Sequence, residues 1–273
     1  MNIIESIILG IVQGLTEFLP ISSSAHLLIF PKIMGWQEPP FVFDTSLHLG
    51  TLISLLVYFR TDIITLLSNF FKCLKKKSFQ NNNDGKLALY ILIGTIPAGL
   101  FGLFFEKTIE EKLHNPKVIV FTLFFLGILL LISDYYSKKN RNFDNLNFKD
   151  IIIIGFAQAM ALIPGTSRSG ITMTSALFLN LNRETAARIS FLLGIPITTA
   201  ASLYKLKDLF EMKLDINIIN YFTLGVISSA ITGFLCIKYL LKFLKSNSFV
   251  IFAIYRIALS CFLLFLILKK IIA

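Results

Sequence analysis

Two short polar stretches interrupt an otherwise apolar chain, and both carry residues that could bind an anion and move protons. The first runs from Gln13 to His26 and contains a carboxylate, an amide, three consecutive hydroxyls and an imidazole. The second runs from Pro164 to Gly170 and contains three hydroxyls and a guanidinium. In hydrocarbon each such group is costly unless it is paired or faces water or a ligand. The pattern therefore predicts two halves of one site.

The second stretch is typical of a phosphate-binding helix start. After the Pro-Gly turn, backbone N–H groups at the start of a helix bind anions, and the guanidinium of Arg168 is a bidentate partner suited to phosphate. If the two stretches meet, two helix N-termini, this guanidinium and six hydroxyls surround one point. The hydroxyls are those of Ser22, Ser23, Ser24, Thr166, Ser167 and Ser169. The alternative is that the serines only cap helices and that Arg168 pairs structurally with Glu17.

The acidic and amide residues of the first stretch suggest metal or base chemistry. Glu17 could hold a divalent cation, Mg²⁺ or Ca²⁺, that bridges phosphate oxygens, or it could act as a base. Gln13, one turn earlier, can support a metal or hydrogen-bond the phosphate, but it brings no charge. The alternative for Glu17 is a buried ion pair with Arg168.

The histidine of the first stretch lies within one helical turn of two serines. His26 follows Ser23 by three residues, a spacing that in a helix places an imidazole beside a hydroxyl. This arrangement can activate a serine or protonate a leaving group, although a structural hydrogen bond is an equal alternative. For Asp44 and His48, metal support and simple capping are both open. For Arg256, snorkelling or pairing is a sufficient explanation.

Composition places these residues in a membrane protein. Of the 273 residues 55% are hydrophobic and only 15% charged, with a mean hydropathy of +0.74. Soluble domains are less apolar and more charged, so we predict an all-α polytopic membrane protein. The net charge of +10 fits basic loops better than a nucleic-acid partner. The three scattered cysteines suggest neither a disulfide framework nor a zinc site.

Hydrophobic runs and breakers predict two re-entrant helical hairpins and six spans. In the first hairpin, residues 3–34, Pro20 ends a helix, Ser22 caps a short second helix and Pro31 stops it. The predicted elements are hairpin 3–34 with spans 41–59, 87–105 and 118–136, then hairpin 151–180 with spans 186–204, 218–237 and 249–268. The basic run Lys72–Lys77 and the Asn-rich tip after it are interpreted as one solvated loop.

The two groups of elements resemble each other in sequence. Gly10-x-x-Gln13 matches Gly155-x-x-Gln158, and further glycine, proline and asparagine matches follow in the same order. We interpret residues 1–150 and 151–273 as two repeats. Because each repeat has three crossings, an odd number, the second enters the membrane from the opposite face, which makes this an inverted-topology repeat.

Loop charges give the orientation. Loop lysines and arginines divide 12 against 8, with ranges 60–86, 138–149 and 242–245 on one side and 107–117, 205–213 and 269–270 on the other. The positive-inside rule then places both termini outside and opens the first hairpin to the outer side.

The motifs resemble those of the undecaprenyl-diphosphate phosphatase (UppP/BacA) family over almost the whole chain. The stretches that carry the resemblance are Glu17–His26, Asp44 with Leu47–Thr51, Pro164–Gly170 and Ala253–Arg256. The resemblance implies a bacterial inner-membrane enzyme that hydrolyses undecaprenyl diphosphate with a divalent cation and recycles the lipid carrier of wall synthesis. Its overproduction is expected to raise bacitracin resistance. A homodimer is compatible with this expectation.

The resemblance also assigns roles to residues. The family's acidic motif falls on Gln13 and Glu17, its proposed nucleophile on Ser23, its histidine on His26 and its arginine on Arg168. Because Gln13 is an amide, metal binding depends mainly on Glu17. In the expected mechanism Ser23, or a water in its place, attacks the terminal phosphorus while His26 moves the proton.

Two other classes of function fit part of the pattern. Inverted repeats with broken helices are a transporter architecture, so a lipid-phosphate transporter or flippase is the alternative. His26 beside Ser23 and Glu17 favours hydrolysis, since pure binding does not require them. A structural scaffold explains the spans but not Arg168 among hydroxyls at a helix break.

Overall fold

The computed structural model describes residues 1–37, 39–113, 115–211 and 216–271, and these parts of the chain are helical with short connections. Its α-helices run in the order α1 Ile3–Phe18, α2 Ser23–Ile33, α3 Phe41–Tyr58, α4 Arg60–Lys75, α5 Asn83–Leu113, α6 Pro116–Tyr136, α7 Phe148–Ala159, α8 Arg168–Phe178, α9 Arg183–Glu211, α10 Ile216–Leu244 and α11 Val250–Leu268. The all-α class predicted from composition is confirmed.

Within the described residues, five helices are long and apolar enough to cross a membrane: α5, α6, α9, α10 and α11. A sixth crossing is obtained if α3 and α4, which bend by 73° at their junction, count as one broken span. These lengths match the roughly 20 residues that a bilayer crossing needs. The chain is therefore a multi-pass membrane protein.

Helix α4 corrects the prediction of a solvated loop over Lys72–Lys77. Its helix continues to Lys75, and the basic residues form its last turn, where they favourably face the helix dipole. Ile63 and Leu66 of the same helix pack against the main core, and Cys73 is buried next to Gly85. The charged residues concealed an amphipathic helix because only one face of it is apolar.

The first hairpin breaks where the sequence predicts. Leu19 is extended, and Ser22 caps α2 with its side chain accepting from the Ala25 N–H. The prediction that Pro31 stops α2 is wrong, since the helix runs on to Ile33. Because Pro31 lies in the last turn, its missing N–H removes only one hydrogen bond there.

The second hairpin has a longer connection. Helix α7 ends in a 3₁₀ turn, Met160–Leu162, and Ser167 then caps α8. Gly165 has a φ of +82°, a conformation that glycine adopts without strain, and a side chain there would overlap Thr122. The turn is therefore packed directly on α6.

Candidate active site

The two helix breaks meet at a cavity of about 400 Å³. Six of the predicted site residues line it: Glu17, Ser22, Ser23, Ser24, Ser167 and Arg168. The first four come from the α1–α2 break, and the last two from the start of α8. The two halves predicted from sequence thus come together in one place.

Glu17 is the centre of the polar contacts. It lies one residue before the end of α1, is 9% exposed, and accepts from Arg168 Nη2 through Oε1 at 3.0 Å. Its Oε2 accepts from Ser23 Oγ at 2.8 Å and from Gln13 Nε2 at 3.2 Å. The buried pair with Arg168 is the contact that the sequence analysis named as the structural alternative, and it links the two breaks.

Arg168 bonds to Glu17 through only one of the two terminal nitrogens of its guanidinium in the described structure. Its Nη1 is buried and has no hydrogen-bond partner among the residues that the structure describes. A buried donor in this state normally has water or a ligand as its partner. Since Arg168 also lines the cavity, its guanidinium holds Glu17 through Nη2 and its positive charge favours an anion in the cavity.

The hydrogen bonds of His26 in the described structure go to Ser22 and Tyr255, and not to the Ser23 hydroxyl that the sequence predicts beside it. Its Nδ1 lies 2.7 Å from the Ser22 carbonyl oxygen, to which it donates, and its Nε2 lies 2.8 Å from the Tyr255 hydroxyl. The two rings are also stacked, with centroids 5.7 Å apart. The partner of the Ser23 hydroxyl is Glu17 instead, because the carboxylate at the end of α1 reaches the first residue of α2.

The hydroxyls divide into those that face the cavity and those that join the breaks. Ser169 donates to the carbonyl oxygens of Glu17 and Leu19, each at 3.1 Å, and is fully buried. Neither Ser169 nor Thr166 is among the described residues that line the cavity. Ser169 holds one hairpin against the other, and contact of either residue with substrate stays a prediction.

Gln13 lies behind Glu17. Its Nε2 contacts His48 Nδ1 at 3.0 Å as well as Glu17, and its Oε1 is buried without a hydrogen-bond partner among the described residues.

His48 and Asp44 both line the cavity. No side-chain cap is seen at the start of α3 in the described part of the chain, and Asp44 Oδ1 has no hydrogen-bond partner there. Capping therefore does not account for Asp44.

Arg256 was misjudged from the sequence. It is fully buried and donates to five backbone carbonyls: those of Pro20, Thr122, Leu123, Gly165 and Thr166, at 3.0 to 3.5 Å. Snorkelling is excluded by this burial. One carbonyl belongs to the first break and two to the second, so α11 ties both together. A lone arginine inside an apolar span is the signal that pointed to such a role.

Gln158 and Ser202 also line the cavity, a role that sequence reasoning missed. In the sequence, Gln158 is distinguished only by its match to Gln13 in the other repeat. Ser202 lies on the predicted fourth span, where a single hydroxyl carries little signal.

Comparison with known proteins identifies the family of this chain. Residues 6–262 match the family described as bacitracin resistance protein BacA. The chain is 45% identical to undecaprenyl-diphosphatase 2 of Stutzerimonas stutzeri, with 97% of this chain and 98% of the relative aligned. It is 44% identical to the undecaprenyl-diphosphatase of Moorella thermoacetica, with 95% and 96% aligned. The chain therefore belongs to the BacA family, as its two polar breaks and the residues within them indicated.

Proposed function

We propose that this protein hydrolyses undecaprenyl diphosphate to undecaprenyl phosphate and inorganic phosphate, and thereby confers bacitracin resistance. The observation that carries the proposal is the Arg168–Glu17–Ser23 contact chain at a cavity inside membrane helices. It joins an anion-binding guanidinium, a carboxylate and a hydroxyl, the groups that phosphoryl transfer uses. The names of the relatives given above support the same activity.

In this proposal the diphosphate lies between the two hairpin tips. The N-termini of α2 and α8 and the positive charge of Arg168, which lines the cavity, attract the terminal phosphate. Ser22, Ser24 and Ser167 line the same cavity and contribute hydroxyls. The isoprenoid tail extends between helices into the lipid.

The proposed reaction begins with attack by Ser23 Oγ on the terminal phosphorus. The bond from Oγ to phosphorus forms as the bond to the lipid phosphate oxygen breaks, and Glu17, already 2.8 Å from Oγ, receives the proton. His26 lies on α2, one turn after Ser23. Its imidazole moves the proton away from the site when the ring leaves Tyr255. Water then attacks the phosphorus of the phosphoserine and gives up a proton, the bond from Oγ to phosphorus breaks, Oγ regains a proton, and inorganic phosphate leaves. Attack by a water held in the place of Ser23 Oγ is the alternative.

The donors near Glu17 fit a divalent cation. Carboxylate and amide oxygens are the ligands that Mg²⁺ and Ca²⁺ prefer, and Asp44 Oδ1 and Gln13 Oε1 are both buried without partners in the described residues. No group of three or more His, Cys, Asp or Glu side chains that could hold a metal is found there. Glu17, Asp44 and Gln13 would therefore hold the ion together with substrate oxygens. The ion would offset negative charge on the phosphates.

We also propose that the two halves, 1–150 and 151–273, are inverted repeats. Two features that occur once in each half support this. The N-cap serines Ser22 and Ser167 share an unusual backbone, with φ of 75° and 66°. A Cβ on Gly10 would overlap the Gly225 carbonyl, just as a Cβ on Gly155 would overlap that of Gly94. With the loop charges, this arrangement supports a cavity that opens to the outer side of the bacterial inner membrane.

The test is phosphate release from a long-chain prenyl diphosphate by the purified protein in detergent with Mg²⁺ or Ca²⁺. We expect release that a chelator and Arg168→Ala both abolish. No release by folded protein with either ion would contradict hydrolysis, and flipping in vesicles would then test the transporter alternative. The homodimer stays a prediction that the mass of the protein–detergent complex checks.

A further inference from the structure

The amide of Gln158 lies in the cavity wall without a partner. The side chain is 2% exposed, and neither Nε2 nor Oε1 has a hydrogen-bond partner among the described residues. Gln158 lies one residue before the end of α7 and lines the same cavity as Arg168. A buried amide that makes no hydrogen bonds is unfavourable for folding, so such a group is usually explained by a bound ligand or water.

Comparison with Gln13 shows why Gln158 has no partner. Four residues after Gln13 comes Glu17, and its carboxylate accepts from the Gln13 amide at 3.2 Å. Four residues after Gln158 comes Leu162, which has no polar atom in its side chain. The fourth residue after Gln158 lies in the 3₁₀ turn that follows α7 and offers no acceptor, so the Gln158 amide in the cavity wall lacks the partner that Gln13 has.

Ser202 is a second buried group of this kind. It lies on α9, is 4% exposed, lines the cavity and has no partner for Oγ in the described part of the chain. Much of the neighbouring lining is apolar, including Ala98, Ile197 and Ala201. Two uncharged hydrogen-bond donors on a largely apolar surface suit a ligand whose polar group is attached to a hydrocarbon chain.

We propose that Gln158 and Ser202 form a second oxyanion subsite, which binds the phosphate that stays on the lipid. This inference rests on the proposed function, in which Arg168 and Ser23 hold the terminal phosphate. The lipid-linked phosphate gains negative charge as the bond to the terminal phosphorus breaks. Neutral N–H and O–H donors stabilise that charge, and the product prenyl monophosphate is the ligand that the subsite retains.

The test compares two products as ligands. Binding of a prenyl monophosphate to the purified protein in detergent is measured directly, and inhibition by inorganic phosphate is measured beside it. Gln158→Leu and Ser202→Ala should each weaken monophosphate binding roughly tenfold, the effect of losing one hydrogen bond to a charged group. Inhibition by inorganic phosphate should not change. Thr199→Val, which removes a hydroxyl that bonds to the Ile195 carbonyl on the same helix, should leave both unchanged.

Thermal unfolding separates a ligand contact from a structural role. Gln158→Leu should unfold at the same or a higher temperature than the wild type, because it removes an unpaired buried amide. A less stable variant that still binds prenyl monophosphate normally would overturn the proposal. Equal weakening of monophosphate binding and of inhibition by inorganic phosphate would overturn it as well. A wild type that binds monophosphate through Gln158 but releases no phosphate would refute the hydrolytic function and retain the subsite.

Discussion

Arg168 Nη2 lies 3.0 Å from Glu17 Oε1, so two residues 151 positions apart in sequence join the two helix breaks by one buried ion pair. Removing one partner leaves an uncompensated charge, and we expect Glu17→Gln or Arg168→Gln alone to cost about 3–5 kcal/mol of unfolding free energy. The double variant should regain much of that stability without regaining turnover. Thermal unfolding of the four proteins measures the coupling, and additive losses would contradict a shared pair.

Gly194 on α9 packs against the same guanidinium. A Cβ there would overlap Arg168 Nη1, so Gly194→Ala should displace the guanidinium and lower kcat/KM about a hundredfold in a folded protein. Gly99→Ala is the matched control, because within the described ranges its Cβ would meet only Ile197, at 4.0 Å. If Gly194→Ala retains full activity, the position of Arg168 is not critical.

The bond between His26 and Tyr255 tests how the proton moves. Tyr255→Phe removes the hydroxyl that lies 2.8 Å from His26 Nε2 and leaves the ring free to turn, so activity should stay within about tenfold of the wild type. His26→Ala should lose about a hundredfold or more, the usual contribution of a proton-transfer group. Equal small losses in both variants would reduce His26 to a structural hydrogen bonder.

Arg256 has more hydrogen-bond partners than a lysine can satisfy. Five carbonyls accept from its guanidinium, whereas an ammonium has three donors. Arg256→Lys should therefore cost about 3 kcal/mol or more of unfolding free energy, since buried carbonyls lose their partners. Arg60→Lys is the control, because Arg60 is exposed and its one hydrogen bond among the described residues is to the nearby Val57 carbonyl. Similar melting temperatures for both variants would contradict the prediction.

The N-cap serines are held in a left-handed backbone conformation. Alanine at Ser22 or Ser167 loses the cap and keeps the strain of φ at 75° or 66°, whereas glycine loses the cap and relieves the strain. We expect each glycine variant to be about 1 kcal/mol more stable than the alanine variant. Chemical denaturation in detergent measures the difference, and alanine variants as stable as glycine variants would show that the backbone relaxes.

The parts of the site that follow local rules could be predicted from the sequence. Proline ended α1 before the first serines, and Ser22 capped α2, because helix termination and capping depend on neighbouring residues. The partner of Ser23, the direction of Arg256 and the unpaired amide of Gln158 depend on contacts between distant segments. These contacts could not be predicted from the sequence, because local rules for helices and caps do not identify which distant residue a side chain will contact.

The anchoring of both breaks by Arg256 also has a consequence for biogenesis. The ribosome makes α1, α2, α7 and α8 well before the last helix, yet the guanidinium that joins the two breaks arrives only with α11. During synthesis the hairpins can enter the bilayer, but their tips lack this common anchor until residue 256 is inserted. The nascent chain should thus become resistant to proteolysis at Pro20 and Pro164 only at the end of translation.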